Sequence, residues 1–190
     1  VPGANCYEKE KGLFGASSSL LLASDEKLIK IDSELKGKGT LFALAATARH
    51  ALAGLGNKLP SLIVGHGVLG RLLARLTIAA GGAPPTVWES NPLRVGHQTD
   101  YKVIDPLKDS SSDHEAIYEA SGDISVLDKI IPKLKKNGEI VLAGFYSTPI
   151  SFSFPPAFMK EARFRISAEF NTEYINICLL YTSDAADESR

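Results

Sequence analysis

The chain has 190 residues, 44% hydrophobic and 23% charged, the balance of a globular protein with one well-buried core rather than of a disordered chain. Its 21 Lys and Arg offset 22 Asp and Glu, so no net field draws it to nucleic acid or to an anionic membrane. Two cysteines, Cys6 and Cys178, are too few for a disulfide framework and lack neighbours at zinc-ligand spacing, which points to a reducing, cytoplasmic setting; the apolar runs also stop short of the roughly 18 to 20 residues of a membrane span.

Val1 is not a start methionine, and the opening Val-Pro-Gly-Ala-Asn-Cys reads as the interior of a domain, so further sequence is expected upstream. Residues 18–23 and 28–31 are predicted β segments around the polar turn 24–27. Residues 40–55, rich in Ala and Leu, predict a mostly buried helix ended near Gly54 and Gly56. A regular alternation follows. Residues 62–64 predict a strand, 68–80 a helix, and 86–89 a second strand after the Gly-Gly-Ala-Pro-Pro breaker. Further strands are predicted at 102–104, 116–120, 139–145 and 164–168, with helices at 124–134 and 157–162; residues 110–112 read as a surface loop. Residues 178–188, CLLYTSDAADE, resemble a translated sequencing adapter and are expected to be non-native. The alternation points to an α/β fold with a parallel sheet and helices on both faces, a doubly wound Rossmann arrangement. The expected organisation is a remnant of another domain over 1–33, the Rossmann domain over 34–171 and the foreign tail over 172–190.

The most informative residues are Gly65, His66, Gly67, Val68, Leu69 and Gly70, which match G-x-G-x-x-G between a predicted strand and a predicted helix. In that context Gly65 allows the tight turn, Gly67 lets the backbone approach a pyrophosphate, and Gly70 lets the helix pack against the sheet. Glu89 ends the next strand, where an acid accepts the ribose hydroxyls and repels a 2′-phosphate, so the expected cofactor is NAD. Arg94 lies near enough in sequence to leave a phosphate partner open. Ser121 and Gly122 after the fourth strand, and Gly144 after the fifth, are expected along the nicotinamide half.

Catalytic candidates are fewer. His50 follows Thr47 by three residues on one helix and suits a proton relay, although a merely packed histidine reads as well. Tyr146 sits where a hydroxyl could exchange a proton. His66 is placed beside the phosphates, His97 and His114 in exposed polar stretches, and Asp123 and Asp128 in helix capping and solvation. A Gly-rich turn followed by an acid also suits S-adenosylmethionine, so a methyltransferase or a non-catalytic nucleotide-binding module remains an alternative.

The order of elements, Leu44-Ala45-Ala46-Thr47-Ala48 ahead of the glycine turn, Glu119 to Gly122, the block Leu62 to Thr77, Val141-Leu-Ala-Gly-Phe-Tyr, and Phe154-Pro-Pro-Ala-Phe-Met-Lys-Glu-Ala-Arg together resemble the medium-chain dehydrogenase/reductases. Within them the chain looks like the bacteriochlorophyllide a dehydrogenase family. That resemblance implies NAD-dependent oxidation of the 3-(1-hydroxyethyl) group of a (bacterio)chlorophyllide to 3-acetyl in bacteriochlorophyll biosynthesis, so a tetrapyrrole pigment as substrate. It implies a truncated GroES-like β-rich catalytic domain ahead of the Rossmann domain, Thr47 and Ser121 near the nicotinamide, and work near the photosynthetic membrane. A homo-oligomer is compatible with it. Zinc-dependent relatives carry a ligand where this chain has Ala43, so no metal is expected; nor is turnover expected from this length of chain alone. A related zinc-independent alcohol dehydrogenase or quinone reductase is the nearest alternative.

Overall fold

The computed structural model describes residues 29–53, 56, 58–95 and 100–167. The chain divides into two compact units, Leu44–Phe170 and a second made of Val1–Ala43 with Asn171–Arg190. The predicted strand at 18–23, its following turn, His97 and the adapter-like tail lie outside the described residues.

In the second unit, the described part of the expected strand at 28–31 forms no strand. Asp32 instead starts a turn, its carboxylate accepting a bond from the Glu34 N–H at 2.8 Å, and a 3-10 stretch runs over Ser33–Leu41, kinked at Lys36. The helix α1, Phe42–Leu52, then carries the chain into the larger unit.

That unit holds a six-stranded, wholly parallel sheet: β1 Leu62–Val64, β2 Thr86–Trp88, β3 Lys102–Ile104, β4 His114–Glu119, β5 Leu134–Leu142 and β6 Arg163–Ile166, in the spatial order β3-β2-β1-β4-β5-β6. This is the doubly wound Rossmann order. The helices α2 Val68–Ala79, α3 Pro92–Val95, α4 Leu127–Ile130 and α5 Phe154–Lys160 complete it. Successive strand residues point to opposite faces. Ile63, Val87, Tyr118 and Val141 therefore pack with Ala48, Ala51 and Leu52 of α1 and Leu73 and Ala74 of α2. Leu62, Val64, Trp88, Ile117, Ile140 and Leu142 pack on the other face with Leu127 and Ile130 of α4 and Ala157 of α5. Burying each such aliphatic side chain contributes on the order of 1.5–3 kcal/mol, so the two layers dominate the stability of the unit.

Two expected elements are redrawn. The helix expected at 124–134 is broken into a 3-10 turn Ile124–Val126, the short α4, and a second 3-10 turn Ile131–Lys133, because Pro132 supplies no N–H to continue the ladder. β5 accordingly begins at Leu134, five residues before its expected start. Conversely, α5 starts at Phe154, ahead of the expected Ala157, since Pro155 and Pro156 occupy the first turn, where an N–H has no helical partner anyway. Asp123 caps as expected, accepting from Ser125 N at 2.9 Å; Asp128 accepts from Ser153 N at 2.7 Å and ties α4 to the start of α5.

Candidate functional site

The strand order reverses at β1: the chain moves outward through β2 and β3, then returns to lay β4 on the opposite side. In open α/β sheets the crevice beyond the carboxyl ends of such a pair is the ligand site. Gly65 leaves β1 there with φ +98°, and a Cβ on it would lie 3.0 Å from both N and Cα of Ser121. A Cβ on Gly70 would stand 1.9 Å from the Gly65 carbonyl oxygen, so only glycine lets α2 sit this close to the turn. Gly67 differs from both: nothing lies within 4 Å of where its Cβ would be, leaving its backbone open to a ligand. The N–H groups of the first turn of α2 have no partner inside the helix, and the macrodipole adds positive potential. An open glycine, free N–H donors and a helix N-terminus together fit a pyrophosphate.

Glu89, just past β2, is buried, and each carboxylate oxygen receives one main-chain bond, His66 N to Oε2 at 3.1 Å and Asn91 N to Oε1 at 2.8 Å. A carboxylate offers about four acceptor positions, so room remains for two ribose hydroxyls. Arg94 Nη1 lies 3.9 Å from Oε2 at a largely exposed position. His66 does not present its ring to a phosphate. The ring is buried, with Nδ1 2.7 Å from the Arg94 carbonyl and Nε2 2.9 Å from the Tyr101 hydroxyl. A carbonyl only accepts, so Nδ1 carries the proton and Tyr101 donates to Nε2. His66 thus acts through its main chain and as a tie between the glycine turn and the segment after β2. Arg71, one turn into α2, donates from Nε to the His66 carbonyl at 3.2 Å and closes the turn from the other side.

On the other side of Gly65, β4 ends in Glu119, fully buried. Its Oε1 accepts from Ser121 N at 2.6 Å and from the Ser121 hydroxyl; its Oε2 accepts from Gly122 N at 3.3 Å and from the Tyr146 hydroxyl. The Glu119 carbonyl also receives Ala143 N and Gly144 N, at 2.8 and 2.9 Å. Ser121, Gly122, Gly144 and Tyr146 are therefore brought together around one carboxylate that nothing in the spacing of the sequence singles out. Burial, with the Glu119 carboxylate beside it, pushes the ionisation of Tyr146 far upward, so its hydroxyl holds its proton and points into Glu119. As a proton acceptor for an alcohol it is badly placed. Thr47 and His50 lie half-buried on α1, the helix that covers the same sheet face as α2. The end of α1 is held by Arg165 Nη2 and the Tyr118 hydroxyl, which donate to the Ala51 carbonyl at 2.9 and 3.3 Å.

One expected exposed histidine is corrected. His114 opens β4 and is buried, its Nδ1 2.8 Å from the Ser61 hydroxyl and its Nε2 3.0 Å from the Ser111 hydroxyl. Ser111 donates in turn to Asp109 Oδ2 at 2.8 Å, and Trp88 Nε1 donates to the same oxygen at 2.6 Å. Ser111 thus ties its loop to the amino edge of the sheet, opposite the glycine turn, while Ser110 and Ser112 stay exposed, as expected of a surface loop. Among the described residues no three His, Cys, Asp or Glu side chains converge where a metal ion could sit, and no helix is long and apolar enough to cross a membrane.

No family model matches the chain. It is 56% identical over 178 residues to the "2-desacetyl-2-hydroxyethyl bacteriochlorophyllide A dehydrogenase" of Cereibacter sphaeroides, covering 91% of this chain and 56% of that protein. To the Rhodobacter capsulatus protein of the same name it is 54% identical over 171 residues, 90% of this chain and 54% of the relative. The chain spans about half the length of these curated relatives. Among solved structures, 2R,3R-butanediol dehydrogenase from Bacillus subtilis superposes with a TM-score of 0.67 at 19% identity, over 81% of this chain and 49% of that one. The short chain alcohol dehydrogenase of E. coli CFT073 complexed with NADH gives 0.65 at 17%, over 83% and 51%. S. aureus TarJ in complex with NADPH gives 0.65 at 19%, over 74% and 48%. Over nine-tenths of its length the chain is therefore similar to these two curated bacteriochlorophyllide dehydrogenases, and its fold is the one found in these solved dehydrogenases.

Proposed function

We propose that this chain is the cofactor-binding half of a dehydrogenase that oxidises the 3-(1-hydroxyethyl) group of a (bacterio)chlorophyllide to 3-acetyl, with NAD⁺ as hydride acceptor. The substrate class comes from the names of the two relatives, which match nine-tenths of the chain at more than half identity. The observation that carries the cofactor is the pairing of an open Gly67 with a buried Glu89 whose oxygens keep acceptor positions free. Solved structures of this fold hold NADH or NADPH, so the nicotinamide class is common ground. Glu89 favours NAD⁺, because a 2′-phosphate brought against a buried carboxylate adds like-charge repulsion in a poorly screened place.

In this reading the chain's own residues bind and orient. Gly67, Val68, Leu69 and Gly70 hold the pyrophosphate through main-chain N–H groups, Gly65, whose own N–H is donated to the Trp88 carbonyl at 2.9 Å, shapes the turn beneath it, and Glu89 takes the adenosine ribose. Ser121, Gly122 and Gly144 border the nicotinamide, with Thr47 approaching from α1. A nicotinamide bound there would supply the acceptor for the hydride of the carbinol carbon, and the hydroxyl proton would leave to a base. With Tyr146 committed to Glu119, His50 is the residue of this chain we assign to relaying that proton. In this reading the pigment is held together with the portion of the relatives that this chain does not span, and the hydrophobicity of such a pigment favours work in the cytoplasm close to a membrane surface.

The test is a chimera in which this chain replaces the matching half of the Cereibacter sphaeroides relative. NADH formation with 3-(1-hydroxyethyl) bacteriochlorophyllide a and NAD⁺, and little with NADP⁺, is the expected result. Turnover of small secondary alcohols with none of the pigment would overturn the substrate assignment.

A further inference from the structure

Both buried carboxylates among the described residues stand at the carboxyl edge of the sheet, Glu89 after β2 and Glu119 at the end of β4. In the sheet register Glu119 lies between Val64 of β1 and Leu142 of β5, both apolar, so a charge here departs from its surroundings. A buried carboxylate is tolerated only where donors surround it. Here four are supplied, by Ser121 N, Ser121 Oγ, Gly122 N and Tyr146 Oη, and all belong to the turns after β4 and β5. Those turns have no slack: a Cβ on Gly144 would lie 2.8 Å from Gly122 N and 3.0 Å from Glu119 Oε2, and a Cβ on Gly122 would lie 2.8 Å from the Phe145 carbonyl oxygen. Gly65, at the centre of the glycine turn, abuts Ser121 directly. A dinucleotide whose adenosine ribose sits at Glu89 and whose pyrophosphate crosses Gly65 to Gly70 runs out over β4 and β5, because the strand order is β2-β1-β4-β5.

We propose that Glu119 is a positioning residue for the nicotinamide half of the cofactor: it locks the turns 120–122 and 143–146 into one rigid rim. This inference rests on the cofactor reading above. Glu119 itself touches neither hydride nor alcohol; it fixes the main chain of Ser121 and Gly122 against which the nicotinamide is seated, and it keeps Tyr146 turned inward.

Calorimetric titration of the chain with NADH and with ADP-ribose, which lacks only the nicotinamide, separates the two halves of the site. Glu119→Gln keeps the shape but sets amide N–H groups against existing donors, so the Kd for NADH is expected to rise about tenfold or more while that for ADP-ribose stays within about twofold. Tyr146→Phe and Ser121→Ala each remove one donor and leave the carboxylate in place, which keeps the test decisive if Glu119→Gln does not fold. Each should raise the ratio of the two Kd values by about threefold. Equal weakening of both ligands, or a ratio unmoved in all the folded variants, overturns the proposal. A wild-type chain that binds neither ligand overturns instead the cofactor reading on which it rests.

Discussion

Gly67 and Gly70 stand three residues apart and fail in opposite ways when a methyl group is added. At Gly70 the new Cβ collides with the Gly65 carbonyl, so Gly70→Ala forces α2 off the sheet and is expected to cost about 1–3 kcal/mol, read as a lowered Tm. At Gly67 the backbone is extended, φ −74°, and the space is empty, so Gly67→Ala should leave Tm nearly unchanged and weaken NAD⁺ binding by about tenfold or more. Unchanged binding in a folded Gly67→Ala chain would contradict the pyrophosphate assignment. The placing of the three glycines in one turn and of Glu89 at the same sheet edge was legible in the sequence, because the strand–turn–helix geometry requires it at fixed spacing. Glu119 was not, since its importance arises from donors up to 27 residues away that only the folded chain gathers. His66 was half legible: its position in the turn follows from the motif, but the two partners of its ring do not.

At the level of elements, the start of β4 carries the polar network Ser61–His114–Ser111–Asp109. Burial, first of all, holds the His114 imidazole below its ordinary value; Lys133 adds to this, while Asp109 and Asp113 oppose it. For Asp109 burial acts upward, but the Ser111 N–H, Trp88 Nε1, the Ser111 hydroxyl and the Lys133 charge together hold the carboxyl below its usual range. Both groups bind fewer protons in the folded chain than in the unfolded one, so stability rises with pH. The His114 contribution is complete above about pH 6.5 and is lost as pH falls from there through its lowered value; the Asp109 contribution follows at lower pH, below about 4. Tm is thus expected to fall between pH 7.5 and 5, and His114→Gln should flatten that part of the profile. A wild-type profile already flat over the interval would contradict the account. The long apolar alternation made β1, α2 and β2 readable almost to the residue. The break at Pro132 was written in the sequence, since a proline has no N–H to carry a helix through it, but the early start of β5 was not, because 135–138 is polar and only pairing with β4 makes it a strand.

Over the whole unit, the sheet separates stability from binding. The His114 network and Glu119 lie at opposite ends of β4, about 16 Å apart at the rise of a strand, far enough for substitutions at one end to leave the other unaffected. His114→Gln is therefore expected to lower Tm while leaving the Kd for NAD⁺ unchanged within about twofold; a large change in affinity would show that the two edges are coupled. Binding to the folded chain alone also stabilises it, by about 2.7 kcal/mol at a hundredfold excess over Kd, which a thermal shift with saturating NAD⁺ would show. Alternating strands and helices announced the doubly wound class, but the reversal of strand order that creates the crevice is a property of the assembled sheet. The most direct test of the central claim is calorimetric titration of the chain with NAD⁺, NADP⁺ and S-adenosylmethionine in parallel, with Glu89→Ala as control. Selective binding of NAD⁺ that Glu89→Ala weakens is the expected result; a folded chain that ignores both dinucleotides, or that binds them equally and is indifferent to Glu89→Ala, would overturn the assignment of Gly67 and Glu89 to the cofactor.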